Sequence, residues 1–376
     1  MELRNPDVKV LLEAYRLEGM MMRYSQFVPR LYNLCKTLGF TPGKIMPSRA
    51  FCSDENQGYP IILITKHFGT FPFNHGQVGG IVATDRHAPH AEHGMDLVII
   101  QASHVGYDPA TETFGSYRRL QTVGDEPTAT CGKVCGVTGW YQNEYNFAQQ
   151  NIFLLREGGE WLVRIDNQLL REDRTEGLFL QLDRLVEEDA PHRVYSTSRA
   201  YRASPQLRAR IPSEEWQEGK GRRIGENLQA EDFYFRRSIV GDVEGRSHLE
   251  GNLLKAMPYI LTSNAPLLTA AQVNTQFEFD RTFRTIVREH SYRGKRLIFI
   301  SGLNIDISPA DGQLFPLTKF VPWAAYVQNR DGSSMTLEQG ELVEMLRAQS
   351  AENLDQIDLE EAIHVMERAR EVVIRY

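Results

Sequence analysis

The first forty residues carry apolar side chains at the spacing of two helices. Within residues 6–23, apolar positions recur every three or four residues, at Val8, Leu11, Leu12 and Tyr15. Such a spacing is typical of an amphipathic helix. The pattern returns over residues 26–38 and is broken at Gly39. We therefore predict a helical hairpin and take residues 1–40 as a first segment.

Short, continuous apolar runs follow the hairpin. The runs at 61–64, 97–100 and 295–300 each predict a strand buried on both faces of a sheet. Two further runs, 151–155 and 161–165, flank a Gly-Gly pair and predict a β-hairpin. Together these runs predict an α/β fold in which a sheet is flanked by helices.

In the second half of the chain, apolar and polar positions alternate less regularly. Residues 203–250 are strongly charged with few apolar runs, which predicts a surface excursion or linker. From about Asp358, an amphipathic helix is predicted to close the chain, with one apolar side formed by Leu359, Ile363, Met366 and Val373. We divide the remainder into an α/β domain at 41–180 and a mixed α/β region at 181–376.

One internal similarity links the two halves. Residues 97–109 and 297–309 both run from an apolar strand through a polar turn to a proline. The pair is either a degenerate repeat or a chance likeness between two buried strands. If it is a repeat, the second copy contains no cysteine and cannot rebuild a thiolate site.

Composition narrows the classes of protein that the chain can represent. It has 376 residues, 41% of them hydrophobic and 24% charged, and a formal net charge of −7. This charge argues against nucleic acid or an anionic membrane as a partner. Four cysteines are too few for a disulfide scaffold, and neither a signal peptide nor a membrane span is visible. We therefore expect a soluble protein of the cytoplasm.

The candidate chemistry is concentrated early in the chain. All four cysteines and six of the ten histidines precede residue 136. Thiolates and imidazoles are ligands that zinc prefers, and two cysteines with one histidine leave an open fourth position. Three short segments can supply that set: Cys52-Ser-Asp54, Ser103-His104 and Thr130-Cys131.

Each candidate also has a purely structural interpretation. Cys52 can be a buried cysteine followed by an Asx turn at Asp54. His104 can be satisfied by a backbone hydrogen bond. Cys135 either forms a Cys-x3-Cys metal pair with Cys131 or packs one turn further along a helix, and we favour the second interpretation. Residue type and spacing alone leave these alternatives open.

The order of the motifs resembles the limiting-CO2-inducible B/C family of carbonic anhydrases. The resemblance covers about the first 145 residues and is moderately specific. It rests on Cys52-Ser-Asp54-Glu55, the pair Gly79-Gly80, the run Leu97-Val-Ile-Ile-Gln-Ala-Ser-His104-Val-Gly106, and Thr128-Ala-Thr-Cys131-Gly132.

This resemblance implies a fold, a metal and a reaction. The fold would be a β-carbonic-anhydrase-like sheet flanked by helices, usually dimeric, with zinc held by Cys52, His104 and Cys131. Zinc-bound hydroxide would attack carbon dioxide to give bicarbonate. Two thiolates would leave zinc a weaker Lewis acid, so that a carboxylate that orients the attacking water becomes important. Asp54 would be that carboxylate.

One position departs from the pattern. In β-type sites an arginine commonly follows the aspartate by two residues and holds it off the metal, but here that residue is Asn56. We predict that Arg86, or else Arg49, substitutes through space. Without such an arginine, Asp54 would become a fourth ligand and close the site.

The favoured interpretation is a zinc-dependent carbonic anhydrase, a lyase that forms a cytoplasmic homodimer. Its partners would be carbon dioxide and bicarbonate, without nucleic acid or membrane. The alternative is a non-catalytic zinc-binding structural or regulatory protein of the same fold. A third interpretation keeps zinc catalysis but applies it to hydrolysis of another carbonyl substrate.

Overall fold

The structure is a computed structural model that describes residues 5–76, 96–119, 126–239, 246–313, 315–371 and 373–374. The chain forms two compact units, each built from separated stretches. Unit 1 contains residues 1–14 and 132–273, and unit 2 contains residues 15–131 and 274–376. This grouping differs from the three consecutive segments predicted above, and that domain division stays a prediction.

The described residues contain helices, as the predicted α/β fold requires. Their bounds are α1 Asn5–Ala14, α2 Tyr24–Thr37, α3 Gly58–Phe68, α4 Gly132–Asn151, α5 Leu182–Leu185, α6 Pro205–Arg210, α7 Arg246–Leu254, α8 Met257–Leu261, α9 Pro266–Arg288, α10 Gln339–Arg347 and α11 Leu359–Glu367. Within the described residues, no helix combines the length and hydropathy needed to cross a bilayer.

The strands form several sheets, which confirms the predicted α/β class. Their bounds are β1 Met22–Arg23, β2 Ile45–Ala50, β3 Phe73–Asn74, β4 Asp96–Asp108, β5 Thr113–Phe114, β6 Ser116–Arg118, β7 Pro127–Ala129, β8 Ile152–Glu157, β9 Glu160–Asp166, β10 Gly177–Leu180, β11 Arg193–Val194, β12 Ser198–Arg202, β13 Gln217–Glu218, β14 Arg222–Arg223, β15 Phe233–Arg236, β16 Arg296–Ile307, β17 Leu317–Gln328 and β18 Ser334–Leu337.

Unit 2 is built on a mixed sheet in the order β1-β17-β16-β4-β2-β3. Its central strands β2, β4 and β16 run parallel to one another, while β17 is antiparallel to β16. Apolar side chains of α2, α3 and α10 join one buried cluster with the sheet, and α9 contributes Phe279, Phe283 and Ile286 to another. Both faces of the central strands are therefore buried, as continuous apolar runs require.

The two similar sequence segments lie side by side in this sheet. Strands β4 and β16 pair in parallel, with Leu97 opposite Leu297 and His104 opposite Asn304. Every paired position along the ladder is offset by the same 200 residues as the sequence similarity. Whether a duplication produced the likeness stays a prediction, but the two segments occupy equivalent positions on adjacent strands.

Two predictions for the first seventy residues need correction. The first predicted helix, 6–23, is too long, because α1 ends at Ala14 and Gly19 adopts a φ of +70°, which breaks a right-handed helix. The run 61–64 was predicted as a strand but lies in α3, where Ile64 is buried and Ile62 is 49% exposed. Four apolar residues fit either structure. The second predicted helix is confirmed as α2.

Unit 1 confirms the predicted hairpin and corrects the predicted linker. Strands β8 and β9 are antiparallel, with Glu157 opposite Glu160. Residues 203–239 contain α6 and β13 to β15 rather than a surface excursion, and they bury Trp216, Phe233 and Phe235. Trp216 stands alone among polar residues, and Phe233-Tyr234-Phe235 is only three residues long between Asp232 and Arg236, so that no long apolar run revealed this core.

The predicted closing helix is confirmed as α11. Asp358 caps it by accepting hydrogen bonds from the backbone N–H groups of Glu360 and Glu361. The helix ends at Glu367, so Val373 is not part of its apolar side as predicted. Ile363 and Met366 on this helix are exposed.

Candidate metal centre

Three predicted ligands meet inside unit 2. One ligand atom from each of Cys52, His104 and Cys131 lies within 4.8 Å of the other two, and all three residues are buried. They come from segments separated by 52 and 27 positions in the sequence, so that only the fold brings them together. Among the described residues, this is the group of cysteine, histidine or acidic side chains with the spacing of a metal site.

Parallel strands bring the first two residues of the group together. Cys52 follows the end of β2, and His104 lies toward the end of its neighbour β4. Because β2 and β4 are parallel, their carboxyl ends share one edge of the sheet, where ligands gather in α/β proteins. The prediction that the apolar run before His104 forms a buried strand is confirmed.

Cys131 reaches this edge through the antiparallel pair β6 and β7. Thr130 packs directly against Gly106 of β4, where a β-carbon would clash with the Thr130 hydroxyl. Cys131 itself adopts a φ of +57°, a conformation that costs a non-glycine residue energy and recurs at functional sites. Helix α4 begins at the next residue, Gly132.

Asp54 lies beside the group and is held by two donors. Its Oδ1 accepts a hydrogen bond from Arg119 at 2.9 Å, and its Oδ2 accepts from the backbone N–H of Cys131 at 3.3 Å. The Oδ2 atom also lies 3.9 Å from Nε2 of His104. Oδ2 of Asp54 thus faces the candidate metal site, while Arg119 holds the carboxylate in position through Oδ1.

The arginine beside Asp54 is Arg119, which the sequence did not single out. Its Nε also contacts Glu55 at 2.8 Å, and its guanidinium lies over the Tyr117 ring. Burial lowers the pKa of Arg119, but Tyr117 and the two carboxylates outweigh burial and raise it. Arg119 therefore carries a permanent positive charge next to Asp54.

Neither Arg86 nor Arg49, the two arginines predicted to pair with Asp54, is seen in that role among the described residues. Arg86 lies outside the described residues. Arg49 is in β2, and among the described residues it is Arg119, rather than Arg49, that forms the ion pair with Asp54. The hairpin β6–β7 carries Arg119 to the site, and no local sequence pattern marks that relationship.

His104 is held from behind by a carboxylate. Its Nδ1 lies 3.0 Å from Oδ2 of Asp306, and both side chains are fully buried. Burial lowers the pKa of His104, but Asp306 and the adjacent Cys52 outweigh burial and raise it to about 10. Burial also raises the pKa of Asp306. The 3.0 Å separation is that of a hydrogen bond between Nδ1 and the Asp306 carboxylate.

The other ring nitrogen of His104, Nε2, lies on the Asp54 side, 3.9 Å from Oδ2. Nε2 is buried and lacks a hydrogen-bond partner of normal geometry, which is costly unless another ligand satisfies it. Two thiols and an imidazole are a donor set that suits zinc. Cys135 lies outside the group, one turn into α4, and burial raises the pKa of its thiol. The residues present therefore fit a metal ion.

Comparisons with known proteins agree with this architecture. No family model and no curated protein matches the chain. Among solved structures, a variant of PtLCIB4, "a homolog of the limiting CO2-inducible protein LCIB", aligns with a TM-score of 0.50 and 10% identity, over 87% of this chain and 97% of that one. PtLCIB4 itself gives a TM-score of 0.49 and 9% identity, over 88% and 99% of the two chains. LCIB gives 0.45 and 11%, over 86% and 96%.

The first of these alignments defines the fold class. The chain has the α/β fold of an LCIB homologue, and the match extends well beyond the 145 residues on which the sequence resemblance rests. The resemblance is therefore confirmed at the level of the fold. The buried Cys-His-Cys cluster lies within this fold and can bind a metal ion.

Proposed function

We propose that this protein is a zinc-dependent carbonic anhydrase, a divergent relative of the limiting-CO2-inducible proteins. The observation that carries the proposal is the convergence of Cys52, His104 and Cys131 around a buried point, beside a carboxylate held by an arginine. The fold match supports the family, and the donor set supports the metal.

Cys52, His104 and Cys131 would hold the zinc ion. When bound, zinc supplies a Lewis acid that makes water nucleophilic near neutral pH. Such a site needs an unblocked position for water. The pairing of Asp54 with Arg119 supports an unblocked position, because the ion pair at Oδ1 anchors the carboxylate and restrains it from turning onto the metal.

Asp54 would position the attacking water. Its Oδ2, on the His104 side, accepts a hydrogen bond from the Cys131 N–H and keeps further lone-pair capacity for a water proton. Glu55 is the next carboxylate outward, with a side chain that is 64% exposed. A proton released at the site would therefore have an acceptor close to solvent.

The burial of the ligands favours a second candidate, a structural zinc site. Cys52, His104 and Cys131 are each at most 4% exposed, and structural zinc ions are typically enclosed and fully ligated. This candidate predicts no turnover and a loss of folding when zinc is removed.

Stopped-flow measurement of carbon dioxide hydration separates the two candidates. We would compare the zinc-loaded wild type with Cys131→Ala, and with Cys135→Ala as the matched control. The proposal expects a rate above buffer that a sulfonamide inhibits, that Cys131→Ala abolishes and that Cys135→Ala retains. A folded, zinc-replete wild type without any acceleration would overturn it in favour of the structural site.

The assembly and location are further proposals. A cytoplasmic homodimer that acts on carbon dioxide and bicarbonate, without nucleic acid or membrane, fits the predicted reaction and the net charge of −7. Light scattering after size-exclusion chromatography tests the dimer, since a monomeric mass at micromolar concentration would reject it.

A further inference from the structure

We infer that Asp306 is the positioning residue of the metal centre: its carboxylate fixes the ring of His104 so that Nε2 presents its lone pair to the metal ion. The inference rests on the proposed zinc site and adds a residue that lies 202 positions from His104. Asp306 touches no proposed substrate atom, and its effect is transmitted through the imidazole.

Strand pairing places Asp306 behind the ring. In the parallel ladder of β4 and β16, Asp306 is paired with Gly106, two residues beyond His104. Gly106 has no side chain, and the His104 imidazole lies 3.0 Å from the Asp306 carboxylate. Neither side chain is exposed to solvent, so water does not compete for this hydrogen bond.

The carboxylate is itself fixed at both oxygens. Oδ2 accepts a second hydrogen bond from Gln57 Nε2 at 2.9 Å, and Oδ1 accepts one from the Thr318 hydroxyl at 3.0 Å. With bonds on both oxygens, rotation of the carboxylate would break at least one of them. Asp306 therefore has one favoured orientation toward His104.

The network continues inward from Gln57. Its Oε1 accepts from Asn304 Nδ2 at 2.6 Å, and Asn304 Oδ1 accepts from the Tyr24 hydroxyl at 2.7 Å. All three side chains are buried, and each of these bonds fixes the direction of an amide. The amide of Gln57 consequently has to present its N–H group to Asp306.

This arrangement selects one tautomer of His104. Both oxygens of Asp306 accept hydrogen bonds from other side chains, and the 3.0 Å contact favours Nδ1 as a further donor, which leaves the Nε2 lone pair for the metal ion. Metal-binding histidines commonly donate their second N–H to a carboxylate, and loss of that partner typically weakens metal binding 10- to 100-fold. A buried carboxylate is also a poor choice for stability alone, since apolar replacements are often as stable.

The test is zinc affinity rather than turnover. Competition against a chromophoric chelator would give the zinc dissociation constant of the wild type, Asp306→Asn and Asp96→Asn. Asp96 is the matched control, because it is a fully buried aspartate of the same sheet that pairs with Arg330 and the Thr41 N–H. Both variants lose a buried carboxylate, but only Asp306→Asn loses the carboxylate beside His104.

We expect Asp306→Asn to bind zinc about 10- to 100-fold more weakly than the wild type and Asp96→Asn to bind it equally well. Nitrogen-15 NMR of the zinc-loaded wild type should show His104 protonated at Nδ1. Equal affinity in folded Asp306→Asn and wild type, or a proton on Nε2, would overturn the inference while leaving the zinc site intact.

Two further outcomes are decisive. If Asp306→Asn does not fold, Thr318→Val removes one bond to Asp306 and should weaken zinc binding severalfold, whereas unchanged affinity would refute the positioning role. If the wild type binds no zinc, the proposed function fails and this inference fails with it. Zinc binding that Cys131→Ala abolishes but Asp306→Asn retains would reject Asp306 alone.

Discussion

Arg119 and Asp54 are joined by a 2.9 Å ion pair although 65 residues separate them in the sequence. The arginine arrives from the hairpin of β6 and β7, whereas the aspartate follows β2. The pair supplies in space the arginine that Asn56 does not supply in sequence. The function of Asp54 should therefore depend on Arg119.

Replacing Arg119 should impair catalysis without removing the metal. In Arg119→Ala the Asp54 carboxylate loses its outer anchor and becomes free to turn toward the metal. We expect carbon dioxide hydration to fall about 10- to 100-fold with zinc content unchanged, as measured by stopped flow and elemental analysis.

The neighbouring arginine provides the control for this substitution. Arg118 donates to the Pro309 carbonyl and lies 3.5 Å from Asp311, so Arg118→Ala should retain the wild-type rate. Equal rates for Arg119→Ala and wild type would remove the ion pair from the mechanism.

Adding one methyl group at Gly106 should disturb the metal centre. A β-carbon there would clash with the Thr130 hydroxyl and lie 2.8 Å from the Ser116 carbonyl oxygen. The Thr130–Cys131 segment would have to move. We expect Gly106→Ala to lower the free energy of unfolding by about 1–3 kcal/mol and to weaken zinc binding, in denaturation and chelator titrations.

A glycine in α4 offers the matched comparison. An added β-carbon at Gly139 meets no atom within 4 Å outside its own helix, so Gly139→Ala should raise stability by about 0.5–1 kcal/mol. A stable, fully zinc-loaded Gly106→Ala protein would show that the close approach to Thr130 is not needed.

The stability of the protein should decrease in acid through His75. Burial, and then the charge of Arg49, lower the pKa of His75 from 6.5 to about 3, and Nδ1 of the ring is engaged by the Ser48 hydroxyl. Between these two values the unfolded chain binds a proton that the folded chain rejects. The free energy of unfolding should therefore fall as pH is lowered from about 6.5 toward about 3, by up to about 1.4 kcal/mol per pH unit.

The variant His75→Asn isolates the contribution of His75 to the pH dependence of stability. His75→Asn keeps an acceptor or donor near the position of Nδ1 but does not titrate in this range. Its stability should fall less steeply with decreasing pH than that of the wild type, as measured by urea denaturation at several pH values. Parallel pH profiles for the two proteins would assign the acid sensitivity to other groups.

Removal of zinc should lower the melting temperature. A ligand that binds the folded state alone stabilises it by about 2.7 kcal/mol at a concentration 100 times its dissociation constant, which corresponds to a shift of about 5 °C or more. Scanning calorimetry should show this loss after chelation and its recovery on adding zinc. Cys131→Ala should show no zinc-dependent shift, and an identical shift in that variant would place zinc elsewhere.

The part of the site that the sequence could predict is the part marked by local patterns. His104 follows a continuous apolar run, and Cys52 and Cys131 stand in short polar segments whose order resembles a known family. Their meeting within 4.8 Å agrees with that prediction. Their role as zinc ligands, like that of Asp54, stays a prediction until metal is measured.

The supporting residues could not be predicted because their contacts depend on long-range register. Asp306 reaches His104 through the pairing of β4 with β16, and Arg119 reaches Asp54 through a hairpin. No sequence periodicity and no sequence motif marks either of these two contacts. The misassigned strand at 61–64 has a different cause, since a four-residue apolar run carries too little information to separate a strand from a helix.

The pairing of β4 with β16 also sets an order of events during synthesis. Residues 109–295 leave the ribosome between the two strands, and closing so long a loop is slower than forming local structure. The emerging chain therefore exposes Cys52, His104 and Cys131 well before Asp306 exists. The candidate site is therefore complete, with His104 supported by Asp306, only once translation has passed β16.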